Sequence, residues 1–119
     1  MGQMIDVDNL LVKIHQFSKE RDWNQFHSIK NLSMALSVES SELVEIYQWM
    51  SEIESNDINN EIVKNKASEE LADIFLYLLR ISSKLNINLE EVALKKIISN
   101  KKKYPIEQSK GNSKKYTEF

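Results

Sequence analysis

Apolar residues in this chain return every three or four positions, the spacing that lines one face of a helix, and four such stretches can be read. The first runs over Asp6–Glu20, with Leu10, Leu11, Ile14 and Phe17 on one side. A polar and aromatic connection, Arg21–Ser28 (RDWNQFHS), separates it from a second stretch over Ile29–Glu54. There Leu32, Leu36, Leu43, Ile46, Met50 and Ile53 form the stripe. Ser55–Asn60 (SNDINN) is rich in residues that start helices. The third stretch, Glu61–Leu85, carries Val63, Ala67, Ile74, Tyr77, Ile81 and Leu85 on one side and further leucines elsewhere. A helix apolar nearly all round is either central or shared with another subunit. Asn86-Ile87-Asn88 then breaks the chain, Asn88 with Glu91 forms an N-cap arrangement, and the fourth helix must stop near Pro105. The polar tail after it, residues 106–119, is expected to be mobile or merely docked.

Two of these stripes contain acids. Glu39 and Glu42 stand at i and i+3, about 60° apart on a helix, and Glu39 lies within about 40° of Leu32, Leu43, Ile46 and Met50. Glu70 falls just as squarely among Val63, Ile74, Tyr77 and Ile81, with Asp73 at the edge. Carboxylates set against hydrocarbon are costly unless something pairs with them. If the second and third helices run antiparallel, the two pairs meet and four carboxylates gather. Such a cluster either holds protons or holds a cation. An all-oxygen set favours Mg²⁺ or Mn²⁺ over zinc. A single ExxE is usually a solvated face, and Lys66 could form an ordinary helical ion pair with Glu70. A di-iron carboxylate site would need Glu-x-x-His motifs, and neither His15 nor His27 supplies one.

Composition narrows the field. The chain has 119 residues, a net charge of −2 and 29% charged residues, so it is one modest domain with no basic excess calling for nucleic acid. The absence of cysteine excludes disulfides, thiolate metal sites and a cysteine nucleophile. Two Gly and one Pro favour helices over a turn-rich sheet fold. No apolar run is long enough for a membrane span, and the N-terminus lacks a signal-peptide pattern, so a cytoplasmic location is expected. Trp23, Phe26, His27 and Trp49 offer flat faces and polar edges suited to a base, although each also suits ordinary packing or capping. Lysines crowd residues 95–115, either as a solvated face or as an attraction for polyphosphate.

The segments Glu20–His27 (ERDWNQFH), Asn31–Trp49 (NLSMALSVESSELVEIYQW), Glu69–Ser82 (EELADIFLYLLRIS) and Lys96–Pro105 (KIISNKKKYP) together resemble the MazG-like all-α nucleoside triphosphate pyrophosphohydrolases, the dCTP pyrophosphatase branch most of all. The resemblance implies an all-α, four-helix bundle over residues 1–105, assembled as a homodimer or homotetramer. It implies that Glu39, Glu42, Glu70 and Asp73 bind Mg²⁺, with Mn²⁺ a possible substitute, and carry the catalysis. It implies that Trp23, Asn24, Gln25, Phe26, His27 and Trp49 enclose base and sugar, that Tyr77 contacts the substrate, and that Lys96 and Asn100 help position the phosphates. Ser40 and Ser41 stand where family members often have Gly, which leaves the metal ligands intact.

The expected reaction is hydrolysis of a (deoxy)nucleoside triphosphate, dCTP or a modified pyrimidine nucleotide, to the monophosphate and pyrophosphate, in control of the nucleotide pool. The rivals are a catalytically silent nucleotide sensor and a helical interaction module whose acids only form surface ion pairs. Partners other than the substrate and further copies of the chain are not expected, neither nucleic acid nor membrane.

Overall fold

The computed structural model describes residues 2–119, and every regular element among them is helical. The elements are α1 (Val7–Glu20), a 3₁₀ turn (Asn24–Phe26), α2 (Ile29–Tyr47), α3 (Glu52–Ser55), α4 (Glu61–Lys84), α5 (Leu89–Lys103), α6 (Ile106–Ser109) and a second 3₁₀ turn (Tyr116–Glu118). Short polar side chains start the long helices by accepting an otherwise unused backbone N–H. Asp6 accepts from Asn9, Ser28 from Asn31, Asn60 from Val63 and Asn88 from Glu91, at 3.0 to 3.3 Å. Two connections take a left-handed residue without using glycine: Asp22 after α1 (φ 52°) and Asn86 after α4 (φ 55°). Asp and Asn tolerate this region better than other side chains, which is how so few glycines suffice.

The second helix is shorter than its apolar stripe predicts. It ends at Tyr47, and α3 begins afresh after Ser51. Ser51 and Glu54 form a reciprocal capping box, each side chain bonded to the other's backbone N–H at 3.1 Å. The S-x-x-E signature of that box interrupts a stripe that would otherwise run on to Ile53.

The chain divides into two compact units, one ending at Asn86 and the other spanning Ile87–Phe119. In the first, α2 packs along α4, and α1 packs on α4. The pair is antiparallel, since His27 reaches Arg80, Glu39 approaches Glu70, and Met50 shares a cavity with Val63. Ile14, Leu32, Ala67 and Leu79 are buried between these helices, together with the small residues Ser18 and Ser82. Elsewhere α4 and its C-cap leave apolar surface uncovered: Leu71, Leu78 and the cap residue Leu85, at seven-residue spacing, are exposed. Met34 and Val38 of α2 are exposed as well.

In the second unit, Asn88 caps the start of α5 as expected, and the helix ends at Lys103, two residues before Pro105, with Tyr104 as its C-cap. The tail is docked on this end of the helix. Tyr104 meets Tyr116 and Phe119 edge to face at 5.9 and 5.8 Å, and Lys103 lies over the Tyr116 ring. No helix among the described residues is long and apolar enough to cross a membrane.

Candidate functional site

Antiparallel pairing brings the acids of α2 and α4 face to face near the middle of both helices. Oxygens of Glu39, Glu70 and Asp73 all lie within 4.8 Å of one another. One oxygen of Glu39 and one of Glu70 are buried with no hydrogen-bond donor in reach. Removal from water pushes the Glu39 carboxyl up to about 7, helped by sharing hydrogen bonds with Glu70 and Glu42 and by the charges of Glu42 and Asp73. At Glu70 the bond with Glu39 pulls downward, but desolvation and the nearby Glu42 and Asp73 outweigh it, so its carboxyl is raised too.

Glu42 stands beside this trio rather than within it. With Glu70 and Lys66 it lines an open cavity of about 470 Å³ on the Met50–Val63 side. The ordinary helical ion pair that Lys66 could have formed with Glu70 is absent among the described residues. Among the described residues the ion pairs are Glu20–Arg21 and Glu91–Lys95, both on exposed helix surface. The trio therefore has no internal cation. Hard oxygen donors with unused lone pairs, closely spaced and partly desolvated, fit a divalent ion such as Mg²⁺.

On the opposite side, Asp73 also borders a second cavity of about 460 Å³. Phe17, Trp23 and Tyr77 give it aromatic walls, Leu10, Ile14 and Leu76 make its apolar floor, and Lys13, His27 and Arg80 supply polar edges. Phe17 and Trp23 hold each other edge to face at 5.6 Å. An Arg80 guanidinium nitrogen lies 3.2 and 3.3 Å from the two ring nitrogens of His27. Burial lowers the His27 pKa, and the neighbouring charges of Arg80 and Lys84 lower it further. A neutral imidazole is the form that can accept from Arg80.

Of the residues singled out in the sequence, Trp23, His27, Asp73 and Tyr77 thus border this cavity. Asn24, Gln25 and Phe26 form the turn between Trp23 and His27 but do not line it. The Gln25 amide is spent on Asp22, and the Phe26 carbonyl accepts from Asn31. Trp49 lies past the end of α2, is 90% exposed and borders neither cavity. Lys96 and Asn100 stand one turn apart on exposed surface of α5, in the second unit. Arg80 escaped the sequence reading. Its signal was of the same kind as that of Glu70, a lone charge inside an apolar helical run (YLLRIS), three residues beyond Tyr77.

Residues 34–119 match the MazG-like family. dCTP pyrophosphatase 1 from Rattus norvegicus is 36% identical over 105 residues, which cover 87% of this chain and 62% of the relative. The Homo sapiens protein of that name gives the same identity and coverage. The chain thus spans less than two thirds of the length of these relatives. Among solved structures, a pyrophosphatase from Archaeoglobus fulgidus superimposes with a TM-score of 0.77 and 32% identity, over 88% of this chain and 97% of that one.

Proposed function

The chain belongs to the MazG-like family, and from that premise we propose that it hydrolyses a (deoxy)nucleoside triphosphate to the monophosphate and pyrophosphate with the help of Mg²⁺. The observation that carries this reading is the sharing of Asp73 between an acidic trio that joins no ion pair among the described residues and an aromatic-walled cavity. A triphosphate needs a divalent ion at one end and a flat pocket at the other, and the two features adjoin. The names of the relatives support a nucleotide substrate, dCTP or a related pyrimidine nucleotide.

Glu39, Glu70 and Asp73 would hold the ion, with Glu42 at their flank. When bound, Mg²⁺ offsets the phosphate charges and makes the α-phosphorus more electrophilic. Glu42, outside the trio but beside two of its members, orients the attacking water and accepts its proton. The water oxygen forms a bond to the α-phosphorus, the bond from that phosphorus to the α–β bridging oxygen breaks, and pyrophosphate leaves. No glycine-rich loop is present to cradle phosphate, so side chains and the ion must do so. Trp23, Tyr77 and His27 would surround the base and sugar. Trp49, Lys96 and Asn100 enter this proposal as contacts completed in an oligomer, and the exposed leucines of α4 support self-association.

The test is a panel of nucleoside triphosphates incubated with the protein and Mg²⁺. Pyrophosphate and the monophosphate are the expected products. Orthophosphate as the sole primary product would refute the reaction, and binding without any product would make the chain a sensor. Sedimentation should show a species larger than one chain, and a monomer at micromolar concentration would remove the oligomer from the proposal.

A further inference from the structure

We propose that Arg80 is a specificity-determining residue that selects a base bearing a ring carbonyl, which rests on the reading of the cavity beside Asp73 as the nucleoside site. Arg80 is partly buried on α4 and belongs to neither ion pair found among the described residues. Its Nε is buried with no hydrogen-bond partner. Among the described residues its one hydrogen-bonding neighbour is the His27 ring, reached almost equally at both nitrogens. Near-equal distances leave the contact off the axis of either lone pair, so the guanidinium is steadied but not satisfied. A desolvated donor without its acceptor is costly in the empty protein and rewarding once a ligand supplies one.

The ligand chemistry follows from the surroundings. Phe17, Trp23 and Tyr77 present flat faces, and Lys13 and Arg80 present only donors. The one carboxylate at this cavity, Asp73, is engaged in the acidic trio at its edge. A flat ring with outward acceptors therefore fits better than one with outward amino groups. A planar guanidinium donates to a carbonyl oxygen, and also to an adjacent ring acceptor where the base has one, as it does with guanine edges in DNA. Cytosine, thymine and guanine all carry a ring carbonyl, and adenine carries none. From Asp73 to Arg80 is seven residues, about 10 Å along the helix axis, comparable with the reach of a nucleoside from its 5′ oxygen to the far edge of its base.

The experiment measures kcat/KM for dCTP, dTTP, dGTP, dATP and base-free 2-deoxyribose 5-triphosphate, with Mg²⁺, on the wild type and Arg80→Met. The wild type should favour the three carbonyl-bearing bases over dATP. Arg80→Met should lose about 10- to 100-fold on those three, the worth of a hydrogen bond to a charged group, and remain unchanged on the base-free triphosphate. An equal loss on all five substrates would place Arg80 on the phosphates or in the fold and overturn the inference. So would no loss at all. Should Arg80→Met lose its helical circular dichroism, Arg80→Lys keeps the charge without the planar fork and must show the same flattened base preference. A wild type that releases no pyrophosphate from any nucleotide would instead defeat the underlying reading of the reaction, a distinct result.

Discussion

Ten residues along α4, about 15 Å of helix, separate Glu70 from Arg80, and the two positions carry opposite versions of one problem. At Glu70, acids from α2 and α4 crowd together without a cation, and proton affinity rises. At Arg80, a guanidinium, His27 and Lys84 gather without an acid, and the histidine's proton affinity falls. Joining the two groups within the chain would satisfy both, and the fold keeps them apart instead. That separation is intelligible if each waits for a different end of one ligand, the charged phosphates through a metal ion at the acids and an acceptor-bearing ring at the cation. On that reading, stability is surrendered at both places for the sake of binding.

The largest effect is expected from breaking the acidic side. Glu70→Gln should lower turnover by about 10³-fold, as removal of an essential electrostatic contact does, with the helical circular dichroism kept. The same substitution should raise the melting temperature of the metal-free protein at pH 8, because it removes a charge from a self-repelling cluster. A lower melting temperature there would mean that the trio stabilises the fold by itself, and the contrast between the two regions would fail.

A smaller effect, of a few degrees, should appear in the pH dependence of metal-free melting. Glu39 binds its proton more tightly folded, at about 7, than at its ordinary 4.5. Its contribution is therefore fully favourable below 4.5 and is lost as pH rises through 7. Mg²⁺ bound at these acids would hold the carboxylates ionised, so the thermal shift it produces should be larger at pH 8 than at pH 5. Equal shifts at both pH values would argue that the ion binds somewhere other than at these acids.

Why the acids were legible in the sequence and the cation was not is a matter of number and of pairing. Glu39 and Glu70 each sit in an apolar stripe, and each has a second acid three residues on, so the pattern repeats and draws the eye. Arg80 occurs once, and what surrounds its cavity comes from elsewhere in the chain: His27 from the turn before α2, Phe17 and Lys13 from α1. Periodicity within one helix reports which face is buried but not which loop will fold over it. The long helices α1, α4 and α5 were readable for the same reason that the end of α2 was not. Their caps coincide with the ends of their stripes, whereas the Ser51–Glu54 box cuts across a stripe that continues. Trp49, called on to enclose the base, stands between the end of α2 and that box and is exposed in the single chain.

On the cationic side the expected effects are smaller. Trp23→Ala should raise KM about tenfold or more with kcat nearly unchanged, because it removes a stacking face from the cavity without touching the acids. An equal fall in kcat would tie Trp23 to the reacting end.

Smallest of all is the titration of His27. Its folded pKa lies below the ordinary 6.5, so its contribution is present above 6.5 and is lost as pH falls through the folded value. This runs against the Glu39 contribution, which grows on acidification. Replacing His27 with Gln removes only the opposing term, and the gain in metal-free melting temperature between pH 8 and pH 5 should widen by about a degree or two. An unchanged slope would mean that Arg80 and Lys84 do not bear on His27 in solution. The cationic region would then be an ordinary solvated edge rather than the counterpart of the acidic trio.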